Sequence, residues 1–115
     1  MIPRDLESLP QTRLVEPDAG DRPILRTAYT SDLLSDVIAH APPDSVLITL
    51  QAHINTVAVA ALAGIRAILV CHGRPLPDAM REAARRERIA IAVTELSQYD
   101  ASWRLHQLLA ETETP

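Results

Sequence analysis

The 115-residue chain contains no lysine and no phenylalanine. All eleven basic residues are therefore arginines, which excludes every chemistry that needs a side-chain amine. There is no lysine for a P-loop phosphate contact and none for a Schiff base. Tyr29, Tyr99 and Trp103 are the only aromatic residues, too few for a base-stacking platform. Three glycines, at positions 20, 64 and 73, leave no G-x-G-x-x-G, no G-x-x-x-x-G-K and no G-x-S-x-G. The one cysteine, Cys71, excludes an intrachain disulfide framework and suits a reducing compartment. A formal charge of −4 argues against a nucleic-acid partner.

What is present is aliphatic. The chain is 47% apolar, so Ala, Val, Leu and Ile must build the core. A chain this long buries about two thirds of its unfolded surface, enough for one domain without metal or disulfide staples. The longest stretch free of Asp, Glu and Arg covers residues 45–65. Gln51, His53 and Asn55 interrupt it, each costly in hydrocarbon, so it reads as a strand followed by a helix and not as a membrane span. The first residues lack the basic-then-apolar order of a secretory leader. The expectation is a cytoplasmic protein without a membrane segment.

Pro3, Pro10, Pro17, Gly20 and Pro23 break up residues 1–22, predicting an irregular segment with a short edge strand over 12–15 and a turn over 18–21. Residues 24–28 read as a strand. Ser31 can cap a helix in which Leu33, Leu34, Val37, Ile38 and Ala41 share one face. Short apolar runs over 45–50, 67–71 and 89–93 read as strands buried on both faces. Between them lie a helix over 55–63, ended by Gly64 in a left-handed conformation, and one from Pro77 to about residue 87. Asp100 is placed to cap a last helix carrying Trp103, Leu105, Leu108 and Leu109, and residues 111–115 read as a polar tail. This alternation predicts a single α/β domain over residues 12–110, a mostly parallel sheet with helices on both faces.

The helix over 55–63 holds no charge. The next helix differs: Arg81, Arg85 and Arg88 recur at helical spacing, and Glu82 and Arg86 stand in a favourable pairing order. A helix apolar all round is normally buried all round. Its alanines would let another backbone approach closely, so Val57, Ala58, Ala60 and Ala61 are candidates for a two-fold homodimer interface. The alternative is a helix covered by the N-terminal segment or the last helix of the same chain.

Ligands of open α/β sheets favour the crevice at the carboxyl ends of the strands, where strand order reverses. That edge would gather Gln51, Ala52, His53, Asn55 and Thr56 after one strand, His72, Gly73 and Arg74 after the next, and Thr94 and Glu95 after the last. Free amides at the start of the uncharged helix and the guanidinium of Arg74 would favour an anion. Polar residues at strand ends are also ordinary, because strands end in loops. No metal is expected: His53, His72 and Cys71 have no chelating spacing. Cys71 and His72, adjacent on a strand, would point to opposite faces and not form a nucleophile pair. General acid or base work by His53 needs a placed partner, and none is visible. The chain reads as a non-enzyme without a cofactor.

Three stretches together resemble the DRTGG domain. They are Ala28-Tyr-Thr-Ser-Asp-Leu-Leu-Ser-Asp-Val, Leu47-Ile-Thr-Leu-Gln-Ala-His-Ile-Asn-Thr-Val-Ala-Val-Ala-Ala-Leu, and the loop His72-Gly-Arg-Pro-Leu-Pro. The similarity runs over residues 14–109 and is closest to the small stand-alone branch of that family. It implies an α/β fold similar to the N-terminal domain of HPr kinase, as also found within phosphotransacetylases. The implied role is regulation and subunit association, with a protein partner in a redox or acyl-phosphate pathway. The name-giving Asp-Arg-Thr aligns with Gln51-Ala52-His53, and Gly-Gly with His72-Gly73, so only Gly73 carries over. The expected function is a non-catalytic regulatory or assembly module acting through homodimerisation and protein contact. The alternative is a sensor binding an anionic metabolite or nucleotide at Gln51, His53, Asn55, Thr56, His72, Gly73 and Arg74.

Overall fold

The period-2 and continuous apolar runs resolve into one five-stranded sheet. In the computed structural model, which describes residues 1–17 and 24–113, a 3-10 segment (Pro3–Ser8) leads into β1 (Thr12–Glu16) and β2 (Thr27–Thr30). Then follow α1 (Leu34–His40), β3 (Ser45–Thr49), α2 (Ile54–Ala63), β4 (Ala67–Val70), α3 (Asp78–Glu87), β5 (Ala90–Thr94) and α4 (Gln98–Glu113). The turn expected over 18–21, with Gly20 and Pro23, lies outside the described residues. Strand order is β1-β5-β4-β3-β2, parallel throughout except for β1, which runs antiparallel to β5. The fold is thus α/β with a mostly parallel sheet. Its Cα radius of gyration is 12.4 Å, near the roughly 13 Å of a compact domain of this length. No described helix is long and apolar enough to cross a membrane.

Every residue of β3 and β4 is buried, which is why their sequences are uninterrupted by outward polar positions. Alternate residues enter two clusters. Val46, Ile48, Ala67, Leu69 and Ala92 pack with Leu105 and Leu109 of α4 and with Leu6 and Leu9 of the N-terminal segment. Leu47, Ile68, Val70 and Ile91 pack with Val37 of α1, Val57 and Ala60 of α2, and Met80 and Ala84 of α3. Gly64 ends α2 at φ 75°, the left-handed position that glycine occupies without strain.

Several boundaries differ from expectation. β2 starts at Thr27, leaving Ile24 54% exposed. On α1, Val37 is fully buried, but Leu33 and Ile38 are 64% and 53% exposed. The helix is short and packs against α2, so its apolar stripe is wider than the surface that covers it. At α4 the capping acceptor is Ser97, whose Oγ takes the Asp100 N–H at 3.1 Å. The helix therefore begins before Asp100 and continues to Glu113, through part of the stretch expected to be a tail. Trp103 stays 42% exposed.

The arginine face of α3 is also used differently. Arg81 and Arg85 reach the buried carboxylate of Glu16 on β1, at 3.2 and 2.8 Å. They tie the antiparallel edge strand to the helix layer at the point where the β1–β5 register shifts.

Candidate functional site

Strand order advances in one direction from β2 to β5, so the parallel strands have no point between them at which the order reverses. The loop after β3 satisfies itself. Gln51 donates from its side-chain amide to the Asp32 carbonyl at 3.0 Å, and Thr56, fully buried, donates to the Gln51 carbonyl at 2.7 Å. His53 is the N-cap of α2, its Nδ1 accepting the Asn55 N–H at 3.0 Å. The Thr56 N–H is taken by the His53 carbonyl, also at 3.0 Å. The first-turn amides that sequence reasoning assigned to an anion thus include two with partners in this chain.

Asp32 organises this edge. Its Oδ1 accepts from the Leu50 N–H at 2.7 Å, the Thr49 hydroxyl at 2.9 Å and the Gln98 side-chain amide at 3.1 Å. One carboxylate so joins the β2–α1 loop, the end of β3 and the start of α4.

Cys71 lies buried beyond β4. Burial, and then the charge of Asp32, pushes its thiol up to about 12, which removes the thiolate needed for nucleophilic work. Iodoacetamide at mildly alkaline pH is expected to leave the native protein unlabelled and to label it rapidly in denaturant. Native labelling at the rate of an exposed thiol would contradict this burial. Among the described residues no group of three or more His, Cys, Asp or Glu side chains could hold a metal ion.

The open site lies one strand further along. A cleft of about 310 Å³ is bounded by β1, the end of β5, the β4–α3 loop and the first turn of α3. Gly73 and Arg74 line it, as do Thr94 and Glu95, together with Arg13 and Arg81. Gln51, His53, Asn55, Thr56 and His72 are not among its lining residues. His72 and Gly73 follow β4 with φ of 63° and 61°, two consecutive left-handed residues that turn the chain sharply. The turn is held by the His72 N–H on the Leu96 carbonyl at 3.0 Å and the Gly73 N–H on the Thr94 carbonyl at 2.9 Å. A Cβ at position 73 would meet the carboxylate of Glu95, the end of a flexible side chain that can swing aside, so it is the φ of 61° that favours glycine here. Arg13 and Arg81 were absent from the expected site. Arg13 arrives through the pairing of β1 with β5, opposite Val93, and nothing local in the sequence signals that neighbour.

Val57 and Ala60, expected on a dimer interface, belong to the core of their own chain, 1% and 0% exposed. This corrects the expected surface: α2 packs between α1 and α3, and its outward strip is Ile54, Ala58, Ala61 and Leu62.

No family model matches the sequence, and no curated protein does either. Among solved structures, the chain is similar to the CBS and DRTGG domains of the regulatory region of Clostridium perfringens pyrophosphatase, complexed with its activator, diadenosine tetraphosphate. The TM-score is 0.77 at 11% identity, over 93% of this chain and 46% of that one. This chain therefore spans less than half the length of its structural neighbour. The class that this likeness defines is a DRTGG-like α/β fold, and the neighbour that carries it is a regulatory region.

Proposed function

We propose that the protein is a non-catalytic regulatory module that forms a homodimer through the outward strip of α2 and acts by contact with another protein. One observation carries this reading. The strip bears no charge, and Leu62 on it is 78% exposed, with Ile54 at 38% two turns earlier. A helix of a single domain normally turns charged residues to water, and contiguous exposed apolar surface marks association sites. Ile38 of the adjacent α1, also exposed, supports extending the patch. Helices over both faces of the sheet belong to the same reading, supported by the two clusters into which alternate strand residues divide. The resemblance to the DRTGG family supports a partner from redox or acyl-phosphate metabolism, and the single buried thiol suits a cytoplasmic setting.

Sedimentation at micromolar concentration tests it. The wild type is expected to sediment as a dimer and Leu62→Glu as a monomer with an unchanged circular dichroism spectrum. A monomeric wild type, or a Leu62→Glu variant that still pairs, overturns the proposal.

A second reading, a sensor of an anionic small molecule, is favoured by the arginine-lined cleft. It moves the binding site from the loop after β3 to Gly73, Arg74 and their neighbours from β1 and β5.

A further inference from the structure

The cleft combines features that point to a particular kind of anion. Its floor includes the apolar side chains Val15 and Val93, and three arginines line it alongside one glutamate. Arg81 is engaged with Glu16. Arg13 and Arg74 are exposed, and among the described residues neither side chain has a hydrogen bond or ion pair. In a chain of net charge −4, two guanidiniums without a bonded partner, beside the one carboxylate of Glu95, leave the cleft with an excess of positive charge. A guanidinium fork matches two oxygens of a phosphate.

Glu95 supplies the second half of the specificity. Its carboxylate lies against Gly73, and its backbone N–H is fixed on the Gln11 carbonyl at 3.2 Å. An ionised carboxylate only accepts hydrogen bonds. It therefore favours a hydroxyl-bearing ligand and repels a second phosphate placed beside it. The volume of about 310 Å³ stands at the small end of ligand pockets, which run from about 300 to 1,000 Å³.

Resting on the sensor reading above, we propose that this cleft binds a phosphorylated polyol no larger than a mononucleotide. Arg13 and Arg74 hold its phosphate, and Glu95 accepts a hydrogen bond from a sugar hydroxyl. The site differs from the one expected from the sequence: it draws on β1 and β5 and leaves out the histidines.

Calorimetric titration with ribose phosphate, adenosine monophosphate, ribose and inorganic phosphate tests the proposal on the wild type, Arg13→Ala/Arg74→Ala and Glu95→Gln. All three side chains are exposed, and circular dichroism confirms that each variant is folded. The wild type is expected to bind at least one of the two phosphorylated sugars and to bind ribose and inorganic phosphate more weakly. The double arginine variant is expected to lose about tenfold or more in affinity, and Glu95→Gln to lose the preference for phosphorylated sugar over phosphate. If a phosphorylated sugar binds but the arginine variant binds it equally well, this site is wrong while the sensor reading survives. If inorganic phosphate binds as tightly as both sugars and Glu95→Gln changes nothing, the polyol assignment is wrong. If none of the four binds the wild type, this proposal fails and the sensor reading loses its support.

Discussion

Replacing Asp32 with alanine is expected to lower the stability of the domain by about 2–4 kcal/mol. The residue is not among those lining the cleft, yet its Oδ1 receives three donors from two parts of the chain: Thr49 and Leu50 at the end of β3, and Gln98 of α4. Removing the carboxylate leaves the Leu50 N–H and the hydroxyl of fully buried Thr49 without their acceptor. A donor stranded away from water costs more than the net value of the bond it made. Asp32→Asn keeps the shape and one acceptor oxygen but not the charge, so about half the loss is expected. Urea unfolding reads both variants through the transition midpoint at constant slope. A midpoint for Asp32→Ala within error of the wild type would show that the network only decorates a loop held by other forces. The same charge helps to keep the Cys71 thiol protonated, so the iodoacetamide experiment reports on this edge of the sheet a second time.

The second large effect concerns Glu16 and depends on pH. Burial by itself pushes the Glu16 carboxyl up, but hydrogen bonds from Arg85 and Arg81, together with their charges, hold it below the usual glutamate value of 4.5. A group whose pKa is depressed by folding stabilises the native state above its unfolded value. That contribution is lost as pH falls through the folded one. The Arg81–Glu16–Arg85 clamp is therefore fully present at neutral pH and weakens progressively below 4.5. Glu16→Gln is expected to cost about 1–2 kcal/mol at neutral pH. The low end is favoured because the side chains of Arg81 and Arg85 are 40% and 60% exposed and solvent screens them. At about 4 °C per kcal/mol for a domain near this size, that is a readable shift in Tm. The difference between wild type and variant should shrink in acid. Asp36 is lowered too, first by its hydrogen bond from the Tyr29 hydroxyl and then by Ser31. It titrates identically in both proteins and drops out of the comparison. A gap that stays constant through the acid range would mean that Glu16 acts by packing alone.

The clamp and the cleft are mechanically connected. Arg81 donates through Nε to Glu16 and through Nη2, at 3.4 Å, to the Val15 carbonyl, and both Arg81 and Val15 line the cleft. Holding Arg81 in this way leaves Arg13 and Arg74 as the free guanidiniums of the site.

Much of the architecture was legible because it is written in local chemistry. The apolar runs over 45–50, 67–71 and 89–93 became β3, β4 and β5 within a residue at each end, Gly64 marked the end of α2, and Pro77 the start of α3. Half of the open site was legible for the same reason: Gly73, Arg74, Thr94 and Glu95 follow their strands directly. The other half was not. Arg13 enters the cleft only because β1 pairs antiparallel with β5, more than seventy residues away, and a five-residue strand carries too little pattern to name its partner. Gln51, His53 and Thr56 make hydrogen bonds within the chain that their sequence positions do not announce. Side chains that cap a helix or close a turn have the same composition as side chains that bind a ligand.

α2 shows where the division falls. That it carries no charge, that the chain has no side-chain amine, and that strands and helices alternate into a mostly parallel sheet all follow from residue identity. Which of its residues face the core does not, since a helix apolar on every side has no preferred face of its own. Packing between α1 and α3 chose Val57 and Ala60 for the interior and left Ala58, Ala61 and Leu62 outside. Residue chemistry is local and can be read along the chain, whereas the partner that buries a residue comes from elsewhere in the fold and is determined only when the sheet assembles.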